Sequence, residues 1–157
     1  EKFDGVKLLM PKTKYKIGSF TVMPLPVEHN VENYAYLIEH EEIGKLVFCT
    51  DAISFNYKIN DVNHLIIEAN YSDELIIDHL CENQDIRSNN QYHMEISDTI
   101  KCINNNYNCY LNNIVIIHLS YGQSDEELFK KMIFEETGIR PVVAEKGLTI
   151  NINKELF

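Results

Sequence analysis

Asn113-Ile114-Val115-Ile116-Ile117-His118 is the stretch on which the fold turns. Four β-branched residues in a row, bounded by Asn and His, read as a short buried strand. That strand ends on an imidazole. Val47-Phe48-Cys49-Thr50-Asp51 repeats the pattern, an apolar run followed by a carboxylate, and Pro24-Leu25-Pro26-Val27-Glu28-His29 places a second imidazole just after a strand. Side chains at the ends of adjacent strands converge although they are far apart in sequence. Imidazole and carboxylate are the donors that zinc, iron and manganese take. Singly, each placement has a plain explanation as a surface His or a turn-forming Asp. The threefold repetition is what points to a metal.

Working outward, the first third reads as β. Lys14–Ile17 and Phe20–Leu25 flank Gly18-Ser19 as a hairpin, and Asn33–Glu39 and Lys45–Thr50 flank Glu41–Gly44 as another. Leu65–Ala69 is a further apolar strand. Helices then alternate with strands. Ser72 with Asp73 and Glu74 opens one, whose apolar face is Leu75, Ile76, Leu80 and Cys81. Another is predicted over Ser97–Ile103. A third starts at Ser124, with Glu127 completing a capping box and Gly138 ending it. Pro141–Ala144 and Leu148–Ile152 return as strands. The Asn-rich segments 104–106 and 112–113 read as loops. This order implies a single α/β domain over residues 1–157.

Composition narrows the classes. The chain has 157 residues, 45% hydrophobic and 24% charged, an ordinary globular mix. No apolar run approaches the roughly 20 residues that span a bilayer, so no membrane partner is expected. A net charge of −10 disfavours broad electrostatic binding of nucleic acid. A local metal could still hold a phosphodiester. Cys49, Cys81, Cys102 and Cys109 show no Cys-x-x-Cys spacing, and without a secretory signal they read as free thiols of a reducing cytoplasm.

In this order the segments resemble the metallo-β-lactamase superfamily. Pro24–Ile38, with His29 ahead of Tyr34-Ala35-Tyr36-Leu37-Ile38, is similar to its third ligand motif, and Phe48-Cys49-Thr50-Asp51-Ala52 to the next. Ile66-Ile67-Glu68-Ala69-Asn70-Tyr71 resembles the acidic strand end of its nuclease-like branches, and His93-Met94-Glu95-Ile96-Ser97 their His-Leu-Ser or His-Ser-Thr element. Ile117-His118-Leu119-Ser120 resembles the last ligand motif, and Ala144-Glu145-Lys146-Gly147 the closing strand turn. The resemblance implies that His29 ligates a first metal, Asp51 bridges, and His118 ligates a second. It gives His93 a role on the leaving group or a phosphoryl oxygen, with Glu68 in support. Two zinc ions, or manganese or iron, would serve the intact fold.

One motif of the family is missing. No His-x-His occurs, so its His-x-His-x-Asp-His segment is absent. The chain therefore resembles the C-terminal half of an αββα sandwich, a mixed sheet with helices on one face. That implies the C-terminal part of a metal-dependent hydrolase acting on a small or single-stranded phosphodiester. It also implies weak or absent metal binding and no activity for this chain alone, because zinc sites use three or four protein ligands. A half sandwich leaves an apolar sheet face or edge uncovered, from which self-association is expected. The alternatives are a binding or assembly module that has lost the first motif, and a plain α/β domain whose strand-end residues are turns and caps.

The other polar residues have bland readings. His40 and His79 read as solvated, His64 as the start of a buried strand, and Asp125-Glu126-Glu127 as a helix-start charge cluster. Ser120 and Ser124 read as caps, with no base beside them to make either a nucleophile.

Overall fold

A computed structural model of the chain describes residues 8–79 and 90–154. Strands β1 (Tyr15–Ile17), β2 (Phe20–Val27), β3 (Asn33–His40) and β4 (Gly44–Cys49) form an antiparallel meander. Strands β5 (His64–Glu68), β6 (Asn113–Ile117) and β7 (Val142–Val143) then add in parallel, each to its predecessor. The result is one seven-stranded mixed sheet whose spatial order is the chain order. The crossovers carry α1 (Asp73–His79) and α2 (Ile96–Asn106) between β5 and β6, and α3 (Glu126–Thr137) between β6 and β7.

Strand alternation divides the sheet into two faces. Leu25, Ala35, Leu37, Val47, Cys49, Leu65, Ile67, Ile114 and Ile116 share one face and are buried with Cys102 and Ile103 of α2 and Phe129 and Ile133 of α3. Burying each large aliphatic side chain contributes roughly 1.5–3 kcal/mol, so this layer is the main source of stability. The opposite face carries the register row Pro24, Tyr36, Phe48, Ile66, Val115 and Val142. Phe48 and Ile66 are half-buried there and Tyr36 is exposed. The mixed sheet with helices on one face is thus as the sequence implies.

Several boundaries differ from expectation, each for a local reason. Asp125, not Ser124, caps α3: its carboxylate accepts from Leu128 N at 2.9 Å, while Ser124 Oγ donates back to Ser120 O at 2.7 Å. Gly138 ends the helix as expected, in the left-handed conformation with φ 71°. Helix α2 begins at Ile96 with Glu95 as its cap and runs on through Asn104–Asn106, where a loop was predicted. Asn106 is buried and satisfied, donating to Tyr57 O at 3.0 Å and Cys102 O at 2.9 Å and accepting from Ile59 N at 2.7 Å. Residues 148–152 form no strand. Side-chain amides hold that segment instead: Asn113 Nδ2 donates to Asn151 O at 3.1 Å and Asn112 Nδ2 to Lys154 O at 3.0 Å. Leu80 and Cys81, assigned to the face of α1, lie outside the described residues. Cys49 and Cys102 are buried free thiols and Cys109 an exposed one. Among the described residues no helix is long and apolar enough to cross a membrane.

Candidate metal centre

Where β4, β5 and β6 end, the chain turns sharply and leaves polar side chains along one rim. Asp51 follows β4, Glu68 closes β5, and His118 follows β6. Asp51 and His118 both take positive φ, 53° and 59°. His93 arrives from the segment after a 3₁₀ turn at Asn90–Tyr92, just ahead of α2. Atoms of Asp51, His93 and His118 able to ligate a metal lie within 4.8 Å of one another. The structure therefore brings together residues that are 67 positions apart at the extremes (118 − 51).

Glu68 organises this cluster. Its side chain is fully buried. Oε1 accepts from His93 Nδ1 at 2.7 Å and from His118 Nδ1 at 3.1 Å, and Oε2 accepts from Ala52 N at 3.1 Å. A buried carboxylate is costly unless hydrogen-bonded, and these three donors meet that cost. A carboxylate only accepts, so both Nδ1 atoms donate to it, and neither Nε2 is engaged by Glu68. A carboxylate behind an imidazole is the usual support of a metal-ligating His, fixing tautomer and ring orientation. Asp51 Oδ1 stands 3.6 Å from His118 Nδ1 and 4.0 Å from His93 Nδ1.

His29 lies next along the rim. Its ring meets that of His93 edge to face, centroids 5.3 Å apart, and His93 meets His118 the same way at 5.0 Å. His29 Nδ1 donates to Tyr92 O at 2.8 Å, a bond that does not engage Nε2. So the five residues named from the sequence share one rim. The grouping among them differs from expectation in one respect: His93, assigned to the leaving group, stands in the three-residue ligand-competent set, and His29, assigned as a ligand, stands beside it.

Comparison with solved structures extends this picture. The metallo-β-lactamase fold protein YhfI from Bacillus subtilis superposes with a TM-score of 0.67 at 16% identity, over 89% of this chain and 53% of that one. The chain has the metallo-β-lactamase fold. An isothiocyanate hydrolase from Delia radicum gut bacteria gives a TM-score of 0.64 at 11% identity, covering 95% of this chain and 60% of that one. The short form of human tRNase Z gives 0.53 at 15%, covering 88% and 45%. The chain thus spans about half the length of these metallo-β-lactamase fold structures. No protein-family model and no curated protein matches the sequence.

Two other histidines have structural places. His40, read as solvated, stacks on Phe20 with centroids 4.4 Å apart and accepts from Glu42 N at 3.2 Å. The aromatic neighbour across the hairpin is what covers it. His64 is buried at the opposite end of β5 from Glu68. A third, His79, is the last residue of α1. Sequence reading did not single out Asn33, which heads β3, and quoted Asn70 only inside a motif. Asn33 Nδ2 donates to Thr50 O at 2.9 Å and Asp51 O at 2.6 Å, and Asn70 Nδ2 to His118 O at 2.7 Å. Their one sequence signal was proximity to His29 and Glu68, and it was lost among many Asn.

Proposed function

We propose that this chain is the C-terminal part of a metal-dependent hydrolase that acts on a phosphodiester. The observation that carries the reading is the Asp51–His93–His118 cluster within 4.8 Å, backed by buried Glu68. The Asp51 carboxylate with the imidazoles of His118 and His29 is a donor set suited to zinc, and to manganese or iron. Asp51 and His118 would hold the metal, with His29 as a ligand of a second ion. A bound ion would supply Lewis acidity and a water of lowered pKa. Glu68 keeps the His93 ring oriented through Nδ1, and a proton taken up at Nε2 would make that ring an imidazolium able to act as an acid or as a donor to a phosphoryl oxygen. The phosphodiester is taken from the resemblance of His93-Met94-Glu95-Ile96-Ser97 to the nuclease-like branches, and a tRNase Z among the similar folds is in keeping with it. The acidic balance of the chain favours small or single-stranded targets.

The test is hydrolysis of bis(p-nitrophenyl) phosphate with added Zn²⁺ or Mn²⁺. We expect none from residues 1–157 alone, because the described ligands are too few for two ions. Metal-dependent turnover is expected when a polypeptide carrying a His-x-His-x-Asp-His segment is supplied, and Asp51→Asn or His118→Ala should abolish it. Turnover by the complemented protein that survives both substitutions would sink the proposal. The Tyr36–Phe48–Ile66 row is also expected to drive self-association of the isolated chain. Light scattering should find dimers or larger species, and Phe48→Lys should shift them toward monomer.

A further inference from the structure

The two rim residues in the left-handed region are the two that the metal reading most needs. Asp51 has φ 53° and His118 φ 59°. Neither is Gly, and an L-residue there costs roughly 1–2 kcal/mol because Cβ crowds its own carbonyl. Something must hold each turn, and in both cases it is a side-chain amide on the carbonyl of the strained residue. Asn33 Nδ2 lies 2.6 Å from Asp51 O and Asn70 Nδ2 lies 2.7 Å from His118 O.

Both amides are themselves fixed. Asn33 heads β3, pairs with Val27 two residues before His29, and also holds Thr50 O. Asn70 is buried, with its backbone N–H on Met94 O at 2.9 Å and its carbonyl on Ser120 N at 2.8 Å. Asn70 therefore ties the residue after His93 to the carbonyl of His118 and to Ser120. We propose that Asn33 and Asn70 are positioning residues: their amides select the left-handed turns that aim the Asp51 carboxylate and the His118 imidazole into the cluster. The inference rests on the metal reading for its purpose, though not for its geometry. Without the amide, each turn relaxes toward ordinary φ and its side chain swings off the shared point.

Asn33→Asp and Asn70→Asp are near-isosteric and replace a donor with an acceptor facing the same carbonyl. Two measurements on the 157-residue chain separate the claims. In the first, made without metal, the HN–Hα coupling and Cα shift of Asp51 and His118 report φ by NMR. Asn33→Asp should erase the left-handed signature at Asp51 and leave it at His118, and Asn70→Asp the reverse. In the second, Co²⁺ titration followed by its visible spectrum should show each variant weakened by 10- to 100-fold, as for other partners behind metal ligands, with apo thermal midpoints close to the parent. If buried Asn70→Asp fails to fold, Asn70→Ser is measured in its place. Unchanged torsions in both variants overturn the inference, whatever happens to affinity. If the parent chain alone takes up no Co²⁺, the titration is made on the complemented protein, where absent uptake counts against the metal reading; the torsions decide this inference in either case.

Discussion

The two ends of the parallel strands use the same residue types to opposite effect. At the amino ends, His64 is buried, its Nε2 donating to Ile43 O at 3.0 Å and its Nδ1 accepting from Asn113 Nδ2 at 2.9 Å. Asn63 beside it accepts from Lys45 N at 2.9 Å and donates to Tyr110 O at 3.3 Å. Every polar atom of that His is spent on the chain itself. At the carboxyl ends, His93 and His118 each spend one nitrogen on Glu68 and keep the other. The difference teaches that a site is marked by unspent bonding capacity held in place, not by the presence of His and Asn.

The largest effect should come from the closed end. Gly44 has φ 71°, and a Cβ there would sit 2.1 Å from Asn63 Oδ1. Gly44→Ala combines the left-handed penalty with overpacking, and we expect a loss of about 2–4 kcal/mol in urea unfolding. A loss under about 1 kcal/mol would mean that this end is looser than its hydrogen bonds imply.

Asp51→Gly sharpens the contrast from the other side. Glycine accepts φ 53° without strain, so stability should stay level or rise by up to about 1 kcal/mol. Metal affinity should drop by about 100-fold, since the carboxylate is gone. A rim residue that is costly to keep and cheap to lose is the pattern expected of function. A destabilised Asp51→Gly with intact metal uptake would place this residue with the structural end.

The smallest effect is a pH dependence. Burial holds the His64 imidazole below its ordinary value, against the opposing pull of the Ile43 and Ile152 carbonyls. The unfolded chain therefore binds the proton more readily. His64 contributes its stability fully above about pH 6.5 and loses it as pH falls through that value toward the lower folded one. Unfolding followed from pH 8 to 5 should show this decline, reduced in His64→Gln. An identical decline in both would assign it to other groups.

Much of this was legible because apolar runs and turn residues are local signals. Val47–Cys49 and Ile114–Ile117 could be little other than strands, and the polar residue after each run fell at the rim. What was not legible depends on partners distant in the chain. Residues 148–152 alternate like a strand, yet Asn112 and Asn113 capture their neighbourhood. Ser124 fits a capping box, but Asp125 is one residue closer to the orphan N–H groups and charged. The roles of Asn33 and Asn70 needed φ at two other residues, which no pattern of side chains reveals.

The monotone order of the sheet has a consequence for how the chain is made. Each strand docks on the one synthesised just before it, so no edge must wait for a later segment to arrive. Pairing can advance as the polypeptide leaves the ribosome, from the first hairpin to the last crossover, with little unpartnered chain at any moment. The sheet can thus take its form strand by strand, in the order in which it is made.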